Sequence, residues 1–276
     1  MSIVPRRSYE RAGGDYGWLK TFHSFNVGGF SDGKHDNFGC LRVINEDRVE
    51  PGSTGSGLHP HREFEIFSYI VSGQIMHEDS MGNRELLKSG DVQLTSSGTG
   101  IRHSEKSYGP EQSYFFQIWS IPSESKLTPR YYTRPDTGSA CSHFEEEEKR
   151  DKWCLIVAPI NSPTVTEARE ASSSPAPVHS PLSFYAAVIS PNKSLPRTFP
   201  TAGRDAKSKV YIHIAQTSGY NPAKEARGAH VKVSVGDASQ ELWEGDGAYI
   251  FGEPDKELVV ENVSDLTAEV LLFEVE

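Results

Sequence analysis

The sequence predicts an all-β fold built as two barrels, and three observations predict it. The apolar runs are short, rich in Val, Ile, Phe and Tyr, and bounded by Gly, Pro, Asn, Asp or Ser, the punctuation of strands rather than helices. Long helical periodicity is absent: the best helical candidate, Phe144–Arg150 (FEEEEKR), is a charged turn with no apolar face. A weak internal repeat divides the chain into halves of one kind.

Each run justifies a strand in turn. Phe64–Val71 (FEIFSYIV) and Tyr114–Ile121 (YFFQIWSI) are dense in aromatic and β-branched residues, which suit a pleated surface buried on at least one face. Asp91–Thr95 follows a Gly turn. Trp153–Ala158, Leu182–Ile189 and Val210–Ala215 repeat the pattern beyond the middle of the chain. Ala248–Phe251, Leu258–Val260 and Val270–Val275 close it.

The repeat sets Glu85-Leu86-Leu87-Lys88-Ser89-Gly90-Asp91 against Glu241-Leu242-Trp243-Glu244-Gly245-Asp246, one residue shorter. Each copy follows a Gly turn and an earlier strand-like run, Phe67–Val71 or Val210–Ala215. A spacing this long does not suit a solenoid, whose repeats are short, so it predicts two copies of one β-domain. The expected division is an N-terminal domain over 1–134, a linker over 135–152 carrying the acidic run Glu145–Glu148, and a C-terminal domain over 153–276. Thr164–Ala176 (TVTEAREASSSPA) reads as an exposed loop, with Thr166–Glu170 able to form one helical turn.

Composition narrows the function classes. Hydrophobic residues at 36% and charged residues at 24% of 276 residues support a packed core rather than general disorder. A net charge of −10 repels phosphate backbones, so direct nucleic-acid binding is not expected. The three cysteines Cys40, Cys141 and Cys154 are widely spaced and odd in number, so a reducing compartment is expected instead of a disulfide framework. Neither a signal peptide at MSIVPRRSYE nor a run of about 20 apolar residues is visible. The expectation is a cytoplasmic monomer away from membranes.

His59-Pro60-His61 and His103-Ser104-Glu105 carry the chemistry. Residues two apart on a strand face the same way, so each tripeptide presents two metal-capable groups side by side. Three imidazoles and one carboxylate suit Fe(II), Mn(II), Ni(II), Cu(II) or Zn(II) and leave positions open on a six-coordinate ion. One His-x-His among ten histidines is unremarkable; two same-face pairs at the edges of strand-like runs are harder to dismiss. His77, His143, His179, His213 and His230 have no such partner and read as packing or surface residues.

The sequence closely resembles the pirin family, a branch of the cupin superfamily. The resemblance rests on Asn37-Phe38-Gly39 with Leu41–Asp47 (LRVINED), His59–Glu65 (HPHREFE), Gly90-Asp91-Val92-Gln93, Gly98–Glu105 (GTGIRHSE) and Phe116–Trp119 (FQIW), with a looser match over the second half. It implies a bicupin, two cupin-type barrels (double-stranded β-helices) packed together. Carried over residue by residue, it implies one divalent metal, Fe(II), on His59, His61, His103 and Glu105. Glu65, at the place of the general cupin carboxylate ligand, is then expected to accept a hydrogen bond from a ligand imidazole. The second barrel is expected to hold no metal.

The resemblance also implies an activity of the quercetin 2,3-dioxygenase type. A flavonol-like substrate is opened with dioxygen, carbon monoxide is released, and Glu105 serves as general base. Phe64, Phe67, Tyr69, Phe115 and Phe116 are candidate pocket aromatics, with core packing expected of most. The alternative is a non-enzymatic iron-binding co-regulator that meets a transcription regulator in the nucleus. The sequence has no clear basic localisation cluster for it, although a chain of 30.5 kDa can enter passively.

Overall fold

The computed structural model describes residues 1–29, 31–133, 141–165, 174–199 and 208–275. Strands dominate it; the acidic run forms one short helix, Glu146–Lys149, inside the segment expected to be a charged turn. No described helix is long and apolar enough to cross a membrane. The expected turn at Thr166–Glu170 lies outside the described residues.

Two compact units emerge, each a β-barrel of the cupin type. One comprises Ala12–Glu145 with Ile156–Leu182, the other Met1–Arg11 and Glu146–Leu155 with Ser183–Glu276. The division drawn from the sequence is contiguous, whereas these units exchange two segments relative to it. The physical reason at the N-terminus is strand pairing: Ser2–Arg6 lies antiparallel to Gly247–Gly252, with Val4 opposite Tyr249. Val157 likewise pairs with Ala176 in parallel within the other unit.

The unit built on Ala12–Glu145 has an eight-stranded and a four-stranded sheet. The larger runs Arg130–Tyr132, Asp91–Ser96, Glu65–Ser72, Ser113–Ser120, Leu41–Val49, Leu19–His23 and Ala12–Asp15, and Ser142–His143 also pairs with Asp91–Ser96. The smaller runs His59–His61, Ile101–Ser107, Gln74–Asp79 and Arg84–Lys88. Leu41, Ile44, Phe67 and Phe116 are fully buried, as the β-branched and aromatic runs require.

The other unit repeats the small sheet in the same order: Ser194–Thr198, Glu257–Asn262, His230–Val235, Ala238–Trp243. The two copies of the repeat thus occupy equivalent strands, Arg84–Lys88 and Ala238–Trp243. What fills the barrels differs. Where the first has His59 opposite His103, the second has Leu195 opposite Val260, both in a continuous apolar cluster with Val231, Val233 and Leu258.

Candidate metal centre

The short strand His59–His61 pairs antiparallel with Ile101–Ser107 so that His103 sits opposite His59 and Ile101 opposite His61. Alternation then aims all three imidazoles to one side. Their ring centroids lie 4.6 Å (His59–His103), 4.7 Å (His59–His61) and 4.8 Å (His61–His103) apart. One donor atom from each lies within 4.8 Å of the others.

The backbone around them is fitted for this purpose. Gly55 adopts a left-handed φ of +74°, and a Cβ there would meet the Glu105 carbonyl oxygen at 2.1 Å. That close approach lets Ser56 N–H donate to the Glu105 carbonyl (2.9 Å), while Ser56 Oγ accepts from Glu105 N–H (3.0 Å). His59 Nδ1 donates to the Gly57 carbonyl at 2.9 Å, which fixes the tautomer and leaves Nε2 with the lone pair.

His61 Nε2 and both ring nitrogens of His103 are buried with no hydrogen-bond partner. Buried polar groups are normally satisfied, and a divalent cation is a partner that would satisfy these imidazole nitrogens at the meeting point of three rings. Burial first, then the neighbouring imidazoles, holds His61 and His103 down to about 3. Both rings are therefore neutral near pH 7, the form that binds metal.

Glu105 lies on the same face of its strand as His103, but the structure groups its carboxylate with His103 and His77 rather than with the outer three imidazoles. Oε2 accepts from Gln117 Nε2 at 2.6 Å and Oε1 from Ser68 Oγ at 3.1 Å. Glu65 differs from its expected role. It is fully buried, yet it accepts from Ser96 Oγ at 2.6 Å and from the backbone N–H of His179 at 3.3 Å, not from an imidazole.

A cavity of about 150 Å³ between the two sheets of this unit is lined by His59, Glu105, Gln117 and Asp47 on its polar side, and by Trp18, Phe115 and Trp119 among its apolar residues. A more open groove of about 610 Å³ borders His61, flanked by Arg62 and Arg102. Burial raises the Asp47 carboxyl to about 7, against the hydrogen bond from Thr21 and helped by the nearby charges of Glu105 and Glu46. Of the five candidate aromatics, Phe115 lines the cavity and Phe64 packs on Trp119 (5.3 Å). Phe67, Tyr69 and Phe116 are core.

Sequence reasoning missed His77, Asp47 and Trp119, which reach the site from strands whose register only the fold supplies, and Trp18, in the bend just before Leu19–His23. His143 pairs with Asp91 and Glu145, His179 Nε2 faces the Tyr132 hydroxyl at 3.3 Å, and His230 stacks on Trp243 at 3.9 Å.

The pirin family profile matches residues 6–120. The chain is similar to quercetin 2,3-dioxygenase of Escherichia coli K12, 44% identical over an alignment of 170 residues that covers 56% of this chain and 72% of the relative. It is also similar to a pirin-like protein of Caulobacter vibrioides, 40% identical over 48% of this chain and 57% of that one. Among solved structures, YhhW from Escherichia coli superposes with a TM-score of 0.76 at 29% identity, covering 99% of this chain and 97% of that one. The same bacterial pirin in complex with nickel(II) gives 0.74 at 28% identity, over 99% and 98%.

Proposed function

The chain belongs to the pirin family, and from that premise we propose that it is a metal-dependent dioxygenase that opens a flavonol-type ring with dioxygen. The observation that carries this reading is the convergence of His59, His61 and His103, the last two with buried unpartnered nitrogens, beside a cavity that also holds a carboxylate. We assign His59, His61, His103 and Glu105 as ligands of a single divalent ion, Fe(II). The donors are nitrogen and oxygen without thiolate, so several first-row ions compete for them in vitro; the nickel(II) complex of the bacterial relative is one instance. When bound, the ion supplies Lewis-acid polarisation of substrate oxygens and the one-electron chemistry that dioxygen requires.

The chain's own residues do the rest. Trp18, Phe115 and Trp119 give the cavity aromatic walls for a planar ring. At about 150 Å³, below the few hundred Å³ of sites that enclose drug-sized ligands, it takes part of a flavonol and leaves the remainder toward the mouth. Glu105 takes the substrate hydroxyl proton as general base, and Gln117 and Ser68 hold its carboxylate in place. We assign the second barrel no metal, in keeping with the aliphatic residues at Leu195, Leu258 and Val260.

The test is metal analysis of protein purified anaerobically, followed by oxygen uptake with a panel of flavonols. Uptake that needs both metal and flavonol is expected, and His59→Ala should lose metal and uptake together. Bound metal without turnover on any flavonol would overturn the enzymatic reading in favour of the metal-binding co-regulator.

A further inference from the structure

We propose that His77 is a further ligand of the metal centre, forming with His103 and Glu105 an inner position for the same ion. The inference rests on the reading of the centre as metal-binding. Gln74–Asp79 pairs antiparallel with Ile101–Ser107, placing His77 opposite Glu105 and Asp79 opposite His103. Donor atoms of His77, His103 and Glu105 lie within 4.8 Å of one another, and all three side chains are buried. Two donors on one ion with bonds of about 2.1 Å stand at most about 4 Å apart, so small side-chain adjustments close the set.

The His77 ring is held as metal-ligating histidines are held. Its Nε2 faces Asp79 Oδ2 at 3.6 Å, and both side chains are fully enclosed. Asp79 is itself fixed by Asn83 Nδ2 (2.8 Å) and by the backbone N–H groups of Met81 (2.9 Å) and Asn83 (3.0 Å). A carboxylate behind one imidazole nitrogen orients the other toward a cation. One face of the ring stacks on Tyr131 (centroids 4.9 Å, 24°), whose hydroxyl donates to Glu85. Edge and face are thus secured: Nε2 has the long approach of Asp79, while the buried Nδ1 has no hydrogen-bond partner. Leaving a buried polar group unsatisfied is costly, and a cation shared with His103 and Glu105 removes that cost.

His103 belongs to both sets. A neutral imidazole has one lone pair, so His103 serves one ion at a time and the inner set is an alternative position rather than a second site.

The experiment titrates Co(II) into chelator-treated protein and follows stoichiometry, affinity and the visible ligand-field band. His77→Phe keeps an aromatic ring against Tyr131 and removes the donor. It should retain the circular dichroism of the parent, change the band and weaken Co(II) binding about 10-fold or more, with Asp79→Asn shifting both in the same direction. Parent affinity and band in His77→Phe overturn the proposal, as do two Co(II) ions per chain. If His77→Phe does not fold, unchanged binding by Asp79→Asn overturns it. His59→Ala separates the two failures. Loss of Co(II) there beside an unchanged His77→Phe removes the inner position alone, whereas full Co(II) in both variants removes the centre itself.

Discussion

Gln117 donates its side-chain amide to Glu105 Oε2 at 2.6 Å. The bond joins a residue of the large sheet to one of the small sheet across the cavity. It is a hydrogen bond to a charged group, worth roughly 1.5–3 kcal/mol where it forms. Gln117→Leu keeps the approximate volume and removes the donor, so Glu105 is less firmly aimed. The expected result is an intact fold with Ni(II) affinity about 10-fold weaker, the scale for losing a group that orients a ligand. Isothermal titration checks it, and an unchanged dissociation constant would remove Gln117 from the support of the centre.

Asp47 yields a pH prediction with a defined sign. Its carboxyl is raised from 3.8 to about 7 in the fold, chiefly by burial. Its contribution to stability is therefore fully present below pH about 3.8 and is lost as pH rises through about 7. At most one proton is involved, so the slope is no steeper than about 1.4 kcal/mol per pH unit. Asp47→Asn can still accept from Thr21 and should flatten this loss. Denaturant unfolding of metal-free protein at pH 5 and pH 8 measures it; an equal pH difference in parent and variant would show that Asp47 ionises freely.

His103 predicts the opposite slope. Burial and then the neighbouring imidazoles lower it from 6.5 to about 3. The unfolded chain binds the extra proton in that interval, so stability falls as pH drops from about 6.5 toward 3. His103→Gln should lessen the acid-side slope of metal-free protein by up to about 1.4 kcal/mol per pH unit. Chemical unfolding between pH 6 and 4 reads this directly, and a slope identical to the parent's would contradict it.

These residues also show where sequence reading reaches and where it stops. His59, His61 and His103 were legible because strand alternation is a local rule: two residues apart means one face, whatever the rest of the fold does. The repeat at Glu85–Asp91 and Glu241–Asp246 was legible for the same reason, as a local turn-and-strand pattern. His77 was not, because its place opposite Glu105 depends on the register between Gln74–Asp79 and Ile101–Ser107. Asp47 and Trp18 come from the part of the chain where polar residues interrupt the apolar runs, as in Leu41–Val49 (LRVINEDRV). Asn45 and Asp47 of that run line a cavity instead of facing solvent, so the usual alternation of apolar and polar misleads. Ser2–Arg6 was invisible as a strand because its partner, Gly247–Gly252, lies at the far end of the sequence.

Glu105→Gln separates metal holding from catalysis. Glu105 lies two residues beyond His103 on one strand face, buried, with donors on both carboxylate oxygens. As a ligand it adds negative charge that favours a divalent ion; as a base it accepts a proton that no imidazole already bound to a cation can accept. Glutamine keeps the length and one carbonyl oxygen but loses both charge and basicity. Metal binding should therefore persist in weakened form, while flavonol oxidation falls about 10²-fold or more, the range for removing a general base. His59→Ala should behave differently, losing metal and rate in parallel, as expected of a residue whose proposed part is binding alone. Measuring bound metal and initial rate on the same preparations distinguishes the two. A Glu105→Gln protein with full metal and a rate near the parent's would take Glu105 out of the proton transfer. A Glu105→Gln protein without metal would make it a ligand first and leave its role as base to a variant that restores binding.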